Sequence, residues 1–170
     1  GSVEMIDAAH YLVATGARAW LPPIDGLDSV DYLTSTSAME LTEVPDSLLV
    51  LGGGYVALEL AQLFARLGST VTVLVRSRLA SKEEPEVSKA LQEVFADEGI
   101  RVVRRAIPTH VTRDASTGQV VVTAEVSGGG QVFRADQILV AFGRRPVTDG
   151  LNLDAVEVKT GQLGEVVVTD

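Results

Sequence analysis

The chain has 170 residues, of which 46% are hydrophobic and 22% charged, and its formal net charge is −9. This composition is that of a globular domain, and the excess of acidic residues argues against nucleic acid as a partner. The chain has no cysteine, so it offers no thiol chemistry. It has only two histidines, His10 and His110, which we interpret as surface or loop residues, so we expect no metal site. We find neither a membrane-length apolar run nor a signal peptide, so we expect a cytoplasmic protein with no membrane partner.

The first 45 residues predict only short elements. Residues 11–14 predict a strand, residues 17–34 a loose polar connection marked by proline and glycine, and residues 35–41 a short helix with a serine or threonine cap.

From Ser47 onward, predicted strands and helices alternate. Apolar residues 47–51 predict a strand buried on both faces, and residues 70–75 and 101–104 predict two more strands. The spacing of apolar residues predicts two helices. The first lies between Gly54 and Gly68, and its apolar stripe consists of Val56, Leu60, Leu63, Phe64 and Leu67. The second covers residues 85–98, and its apolar stripe consists of Val87, Leu91, Val94 and Phe95. This order implies a parallel sheet with right-handed crossovers.

After residue 106 the pattern changes. Residues 107–113, 119–126 and 131–135 predict an antiparallel three-stranded meander, and residues 137–142 predict another buried strand. For residues 147–170 we expect a loop, a turn around 151–156 and a final strand at 165–168. The predicted fold class is α/β: a Rossmann-like parallel sheet with helices on it, plus an antiparallel three-stranded β-meander.

The residues between the first buried strand and the first long helix form a glycine motif. Gly52, Gly54 and Ala57 fit the pattern G-x-G-x-x-G/A, which binds dinucleotides when it joins a strand to a helix. The first glycine permits a tight turn, the second lets the backbone approach a pyrophosphate, and the alanine lets the helix pack on the strand. The alternative is a tight turn with no ligand.

The residues at the end of the second predicted strand indicate whether the site binds NAD(H) or NADP(H). An NAD site has a carboxylate there, whereas this chain has Arg76, followed by Arg78 and Lys82, and no carboxylate between Thr70 and Ser81. Cations at this position predict a 2′-phosphate and therefore NADP(H). The alternative is a solvated basic loop balanced by acidic neighbours (Glu83, Glu84 and Glu86).

Two residues near the glycine motif have open interpretations. Glu59 could be a favourable charge near a helix N-terminus or a carboxylate close to the nicotinamide. Tyr55 could be a packing aromatic or a ring over a nucleotide pocket.

The stretch VLGGGYVALELAQLFARLGSTVTVLVRS carries a resemblance to a known family, and PPIDGL, YLTSTSAMEL, ALELAQLFARLGSTVTVL and LVAFGRRPVTDGL, in that order, carry a closer resemblance within it. From about Tyr11 to its end, the chain resembles the nucleotide-binding domain of the flavin-dependent pyridine nucleotide–disulfide oxidoreductases. Within that family it most resembles the mercuric reductases.

The resemblance implies a domain organisation and a set of site residues. Residues 1–45 would be a connector from an FAD domain, 46–146 the NADP(H)-binding domain, and 147–170 a return segment toward the FAD domain. Glu59 would lie beside the nicotinamide and flavin rings, and Tyr55 would cover the flavin until NADPH displaces it. The implied cofactor-binding residues are Gly52, Gly53, Gly54, Tyr55, Val56, Ala57, Glu59, Arg76, Lys82 and Gly143.

The resemblance also implies that the whole enzyme is a homodimer. In the implied reaction NADPH reduces FAD, FAD reduces a cysteine pair, and the thiolates reduce Hg(II) to Hg(0). The sequence has no cysteine, so we expect an excised domain that is inactive alone, with Glu59 as its one candidate residue near the chemistry. Two alternatives remain: the same domain of a glutathione reductase-like or dihydrolipoamide dehydrogenase-like enzyme, and a stand-alone nucleotide-binding module.

Overall fold

A computed structural model describes residues 4–168 of the chain. Contacts between residues divide it into two compact units. The larger unit is the stretch Ala19–Gly143, and the smaller unit combines Gly1–Arg18 with Arg144–Asp170. None of the helices within residues 4–168 is long and apolar enough to cross a membrane.

The order of elements agrees with the predicted alternation of strands and helices. In the larger unit these are α1 (Ser35–Ala38), β2 (Ser47–Leu51), α2 (Tyr55–Arg66), β3 (Thr70–Val75), α3 (Pro85–Asp97), β4 (Arg101–Arg104), β5 (Ala106–Arg113), β6 (Val120–Val126), β7 (Gly129–Ala135) and β8 (Gln137–Val140). Two further strands, β1 (Ala17–Ala19) and β9 (Arg144–Pro146), pair with each other in a small sheet of their own.

A four-stranded parallel sheet in the order β4-β3-β2-β8 forms the middle of the larger unit. The sheet confirms the predicted α/β class, and its carboxyl ends all meet at one edge. The segment before α1 extends the sheet beyond β8, since the Leu33 amide donates to the Ile138 carbonyl at 2.7 Å and the Leu33 carbonyl accepts from the Val140 amide at 2.8 Å.

The two faces of this sheet contribute to different cores. Alternate residues of β2 point to opposite sides, so Leu48 and Val50 pack with the helices, whereas Leu49 and Leu51 pack with the meander. The helix-side core includes Leu58, Phe64, Val73, Val75, Phe95 and Leu139, and the meander-side core includes Val111, Val122, Phe133, Ile138 and Val140. Because both faces are covered, the central strands β2 and β8 have continuous apolar runs, at residues 48–51 and 138–140.

The predicted meander is confirmed as an antiparallel sheet in the order β5-β6-β7. Its register shifts between Pro108 and His110, as a β-bulge would produce. The sheet presents Val111, Val122 and Phe133 to the parallel sheet and leaves alternate residues in solvent.

The predicted apolar stripes of the two long helices are partly wrong. In α2 the buried residues are Ala57, Leu58, Leu60, Ala61 and Phe64, while Val56, Leu63 and Leu67 are exposed. The two alanines explain this difference, because small side chains let the helix approach the sheet closely and so define its buried face. In α3, Phe95 is buried as predicted, but Val87 and Val94 are exposed and Ser88 is buried.

Several short predicted elements also need correction. Residues 11–14 form no strand, because within the described chain they have no partner strand, and Leu12 is 91% exposed. Residues 165–168 form only one antiparallel bridge, between Thr160 and Val166. The helix predicted over 35–41 ends at Ala38, although its cap is a threonine, Thr34, as predicted. The strand predicted over 137–142 ends at Val140, before the close approach described below.

A polar joint connects the amino ends of β2 and β8. The Asp136 carboxylate accepts hydrogen bonds from the Ser47 hydroxyl at 2.7 Å and the Ser47 amide at 3.0 Å, and the Asp136 amide donates to the Ser47 hydroxyl at 2.9 Å. The other carboxylate oxygen accepts from the Gln119 side chain at 3.2 Å. The hydrogen bond from the Ser47 hydroxyl is the main cause that lowers the pKa of Asp136 below its usual value.

This joint predicts a pH-dependent contribution to stability. Asp136→Ala should lower the free energy of unfolding by roughly 1–3 kcal/mol at pH 7, because it removes hydrogen bonds to a charged group. A depressed pKa in the folded state means that the contribution is present above about pH 4 and is lost as pH falls through the folded pKa. Denaturant titrations from pH 7 to pH 3 should therefore show the wild type and the variant converging in acid.

Asp97→Ala provides the control. Asp97 is exposed at the end of α3, and its carboxylate forms no hydrogen bond or ion pair with another described residue. It should leave the free energy of unfolding nearly unchanged. A constant difference between wild type and Asp136→Ala at all pH values would contradict the assignment.

Candidate functional site

The turn after β2 depends on Gly52. Its φ of +133° is a conformation that other residues rarely adopt, and its amide donates to the Leu74 carbonyl at 3.0 Å. A Cβ at this position would lie 2.3 Å from the Ala141 carbonyl oxygen. Gly52 therefore lets the backbone leaving β2 pass directly against the backbone leaving β8.

The next two glycines differ in their surroundings. A Cβ on Gly53 would lie 2.7 Å from Cγ1 of Val75, and the Gly53 carbonyl accepts a hydrogen bond from the Ala80 amide at 2.8 Å. Gly54 is the N-cap of α2, with an extended backbone that any residue can adopt, and a Cβ there would meet no atom within 4 Å. Gly53 thus connects the turn to the loop after β3, whereas Gly54 borders open space at the start of the helix.

The start of α2 presents backbone groups rather than a side-chain cap. The helix begins at Tyr55 without a side-chain hydrogen bond at its N-cap, and its first internal bond runs from the Leu58 amide to the Gly54 carbonyl at 3.1 Å. Ala57 is fully buried against the sheet, and Val56 is partly exposed beside it. A helix start of this kind, next to a glycine turn, favours an anionic ligand such as a pyrophosphate.

The loop after β3 contains cations of two kinds. Arg78 is partly buried, and its guanidinium donates to the backbone carbonyls of Ser81, Glu83 and Glu84 at 3.1, 2.6 and 3.1 Å. Arg76 and Lys82 are exposed, and neither forms a hydrogen bond or ion pair with another residue of the part that the structure describes. Arg78 therefore holds the loop in shape, and the other two cations remain available for an anion.

Tyr55 and Glu83 connect the helix start to this loop. The Tyr55 hydroxyl donates a hydrogen bond to the Glu83 carboxylate, although the Tyr55 side chain is 61% exposed. That hydrogen bond, together with the charge of Glu83, raises the pKa of Tyr55. In the alternative interpretation of the loop, Glu83 is one of the charges that balance its cations, but its carboxylate accepts the hydrogen bond from Tyr55.

Two other predicted site residues lie in α2 and in the segment after β8. Glu59 is exposed and is the fifth residue of α2, outside the first turn, so a helix-dipole role has little support. Gly143 follows β8 with a φ of +130°, and its carbonyl accepts from the Trp20 amide at 2.9 Å. The rings of Trp20 and Phe142 meet edge to face beside it, with centroids 6.4 Å apart.

The structure thus gathers the predicted residues at the carboxyl edge of the parallel sheet. The ends of β2, β3 and β8 contribute the glycine turn, the cationic loop and the Ala141–Gly143 segment, respectively. In open α/β sheets, ligands bind in the crevice outside this edge. The bond from Ala80 to Gly53 and the bracing role of Arg78 could not be predicted from the sequence, because neither belongs to a motif. Within residues 4–168, no group of three or more histidine, aspartate or glutamate side chains could hold a metal ion.

Comparisons with known proteins identify what the chain is similar to. It matches the family model for pyridine nucleotide-disulphide oxidoreductases over residues 1–170. It is 55% identical to a mercuric reductase of Streptomyces lividans over 100% of the chain, and 45% identical to one of Bacillus cereus over 98%. Among solved structures, a Cu(II) complex of the HOCl-induced flavoprotein disulfide reductase RclA from Escherichia coli superimposes with a TM-score of 0.82 and 29% identity, over 91% of the chain.

The chain is much shorter than these proteins. It spans 35% of the Streptomyces lividans enzyme, 26% of the Bacillus cereus enzyme and 34% of the RclA chain. The similarity therefore concerns one part of each longer protein.

From the geometry of the glycine turn we expect alanine substitutions at Gly52 and Gly54 to differ in their effect on stability. Gly52→Ala should destabilise the fold by roughly 1–3 kcal/mol, because alanine is strained at positive φ and its methyl group would collide with the Ala141 carbonyl. Gly54→Ala should change stability by less than about 1 kcal/mol, since its backbone is extended and the added methyl group meets no atom. Thermal and denaturant unfolding of the two variants would measure the difference, and equal destabilisation would contradict this description of the turn.

Proposed function

The chain belongs to the pyridine nucleotide-disulphide oxidoreductase family, and from this we propose that it is the domain that binds NADPH in a flavin-dependent enzyme. The observation that carries the proposal is the meeting of the glycine turn with unpaired Arg76 and Lys82 at one edge of the sheet. The bond from Ala80 to Gly53 holds the two parts of this site together.

The glycine turn fits a pyrophosphate. Gly54 leaves open space where a side chain would otherwise stand, and α2 starts beside it with no side-chain cap. We propose that the backbone amides of Gly54, Tyr55 and Val56 hold the pyrophosphate, with Gly52, Gly53 and Ala57 fixing their positions.

The cations fit a second phosphate on the adenosine side. No carboxylate stands at the end of β3 to accept hydrogen bonds from ribose hydroxyls, and the nearby Glu83 carboxylate binds Tyr55. Arg76 and Lys82 are therefore the proposed ligands of the 2′-phosphate, which favours NADPH over NADH.

The residues toward the other end of the coenzyme have proposed roles as well. Bound NADPH supplies a hydride. We propose that Glu59 and Gly143 lie near the nicotinamide, where exposed Glu59 helps to orient the ring. Tyr55 would leave its bond with Glu83 to make room for the coenzyme, because its side chain is 61% exposed and is joined to that loop by a hydrogen bond of its hydroxyl.

For the whole enzyme we propose the reduction of Hg(II) to Hg(0) by NADPH, with FAD and a cysteine pair as carriers. The support is the 45–55% identity with proteins named mercuric reductase. The overall reaction is balanced: NADPH and Hg(II) give NADP⁺, Hg(0) and a proton. In this organisation residues 46–146 bind NADP(H), and the segments 1–45 and 147–170 lead from and to the FAD domain. We propose a cytoplasmic homodimer, in line with its intracellular coenzyme.

If the site binds the 2′-phosphate as proposed, the chain should prefer NADPH over NADH, and Arg76 should control that preference. NADPH should raise the melting temperature more than NADH, and Arg76→Ala should weaken NADPH binding by roughly 10- to 100-fold while affecting NADH little. The reason is the loss of a charge-assisted contact with a phosphate that NADH lacks. Titrations that follow Trp20, the only tryptophan of the chain, would give both dissociation constants.

Two variants serve as controls for this measurement. Arg134→Ala removes an exposed arginine from β7 in the meander and should change neither constant. Gly54→Ala should weaken both nucleotides equally, because both contain the pyrophosphate. Equal losses for NADPH and NADH in Arg76→Ala would count against the 2′-phosphate role.

The absence of cysteine from the sequence predicts the behaviour of the chain by itself. It should bind NADPH but show no Hg(II)-dependent oxidation of the coenzyme, since no thiolate is present to hold the metal ion. The loss of NADPH absorbance over time, with and without Hg(II), is the measurement. Sustained Hg(II)-dependent turnover by the purified chain would overturn the proposed need for a cysteine pair.

A further inference from the structure

The edge strand β4 places an additional arginine next to the proposed phosphate site. In the parallel pairing of β3 and β4, Arg104 is the register partner of Val75, the residue directly before Arg76. Neighbouring strands lie about 4.8 Å apart, so the backbone of Arg104 is one strand spacing from the start of the cationic loop. Arg104 is also the last residue of its strand, at the same carboxyl edge as the glycine turn.

The pairing also defines the face on which Arg104 lies. Val103 packs with the meander-side core, as does its partner Leu74, and Val102 packs with the helix-side core, as does its partner Val73. By the alternation of a strand, Arg104 shares the helix side with Val75. Val75 is the residue whose Cγ1 would meet a Cβ on Gly53, so this is the side on which the glycine turn lies.

The charge of Arg104 has no neutralising partner. Its side chain is exposed, and it forms no hydrogen bond or ion pair with any other residue between 4 and 168. Together with Arg76 and Lys82, it makes three unpaired cations around the end of β3, in a chain whose net charge is −9. A charged residue on an edge strand also discourages pairing with other chains, but that role does not require a position beside other cations.

We infer that Arg104 is a third cation that binds the 2′-phosphate of NADPH, from the strand next to the one that leads to Arg76. This inference rests on the proposed function and extends it, since the nucleotide preference would then depend on two neighbouring strands. Arg104 approaches from the edge of the sheet, whereas Arg76 and Lys82 approach from the loop. Three donors from two neighbouring segments would surround a phosphate with its several acceptor oxygens.

The test compares Arg104→Ala, Arg104→Lys and the control Arg134→Ala with the wild type. The probes are NADPH, NADH, adenosine 2′,5′-bisphosphate and adenosine 5′-monophosphate, titrated at low and high salt. Arg104→Ala should weaken NADPH and the bisphosphate about 5- to 20-fold and leave NADH and the monophosphate within about twofold. Arg104→Lys should recover part of the loss, and high salt should reduce the difference, because an exposed charge is screened.

The outcomes separate this inference from the function on which it rests. Unchanged binding of NADPH by Arg104→Ala, or equal losses for all four probes, would overturn the role of Arg104. If the wild type prefers NADPH and Arg76→Ala removes that preference, the proposed function stands even when Arg104→Ala has no effect. A wild type without preference for NADPH would overturn both. The melting temperatures of the variants without nucleotide check that the edge strand remains folded.

Discussion

The close approach of two backbones at Gly52 is the constraint on which the site depends. The strand ends of β2 and β8 come so near each other that a methyl group on residue 52 would overlap the Ala141 carbonyl. Because the chain can turn at once after Leu51, α2 starts at the edge of the sheet and packs Ala57 directly on it. A wider turn would carry the start of α2 away from this edge and from the loop after β3.

The loop after β3 contains one arginine that braces the backbone and two cations whose side chains remain exposed. Arg78 uses its planar donors on three backbone carbonyls, which fixes the course of the chain around Lys82 and Glu83. Arg76 has no such bonds and keeps its charge in solvent. Because the bonds of Arg78 fix the backbone on both sides of Lys82, the loop would lose less entropy if it bound an anion as proposed.

Much of the fold and part of the site could be predicted from the sequence. β2 is apolar from Leu48 to Leu51 and β3 is rich in β-branched residues, and the glycine motif stands between a strand and a helix, so local patterns determine both. The face of α2 could not be predicted from residue size, because Ala57 and Ala61 are buried by close packing while the larger Leu63 and Leu67 are exposed. The strand expected at residues 11–14 failed because apolar composition alone does not supply a partner strand. The bond between Tyr55 and Glu83 joins residues 28 positions apart and depends on tertiary structure that no local pattern encodes.

The polar joint between Ser47 and Asp136 has a consequence for how the chain folds. It closes a loop of 89 residues, whereas β2 and β3 pair across only one helix. The entropy lost on closing a loop grows with its length, so pairing β2 with β3 costs less chain entropy than pairing β2 with β8. The close approach of Gly52 to Ala141 exists only once β8 pairs with β2, so the proposed nucleotide site would require this long-range pairing in addition to the glycine turn itself.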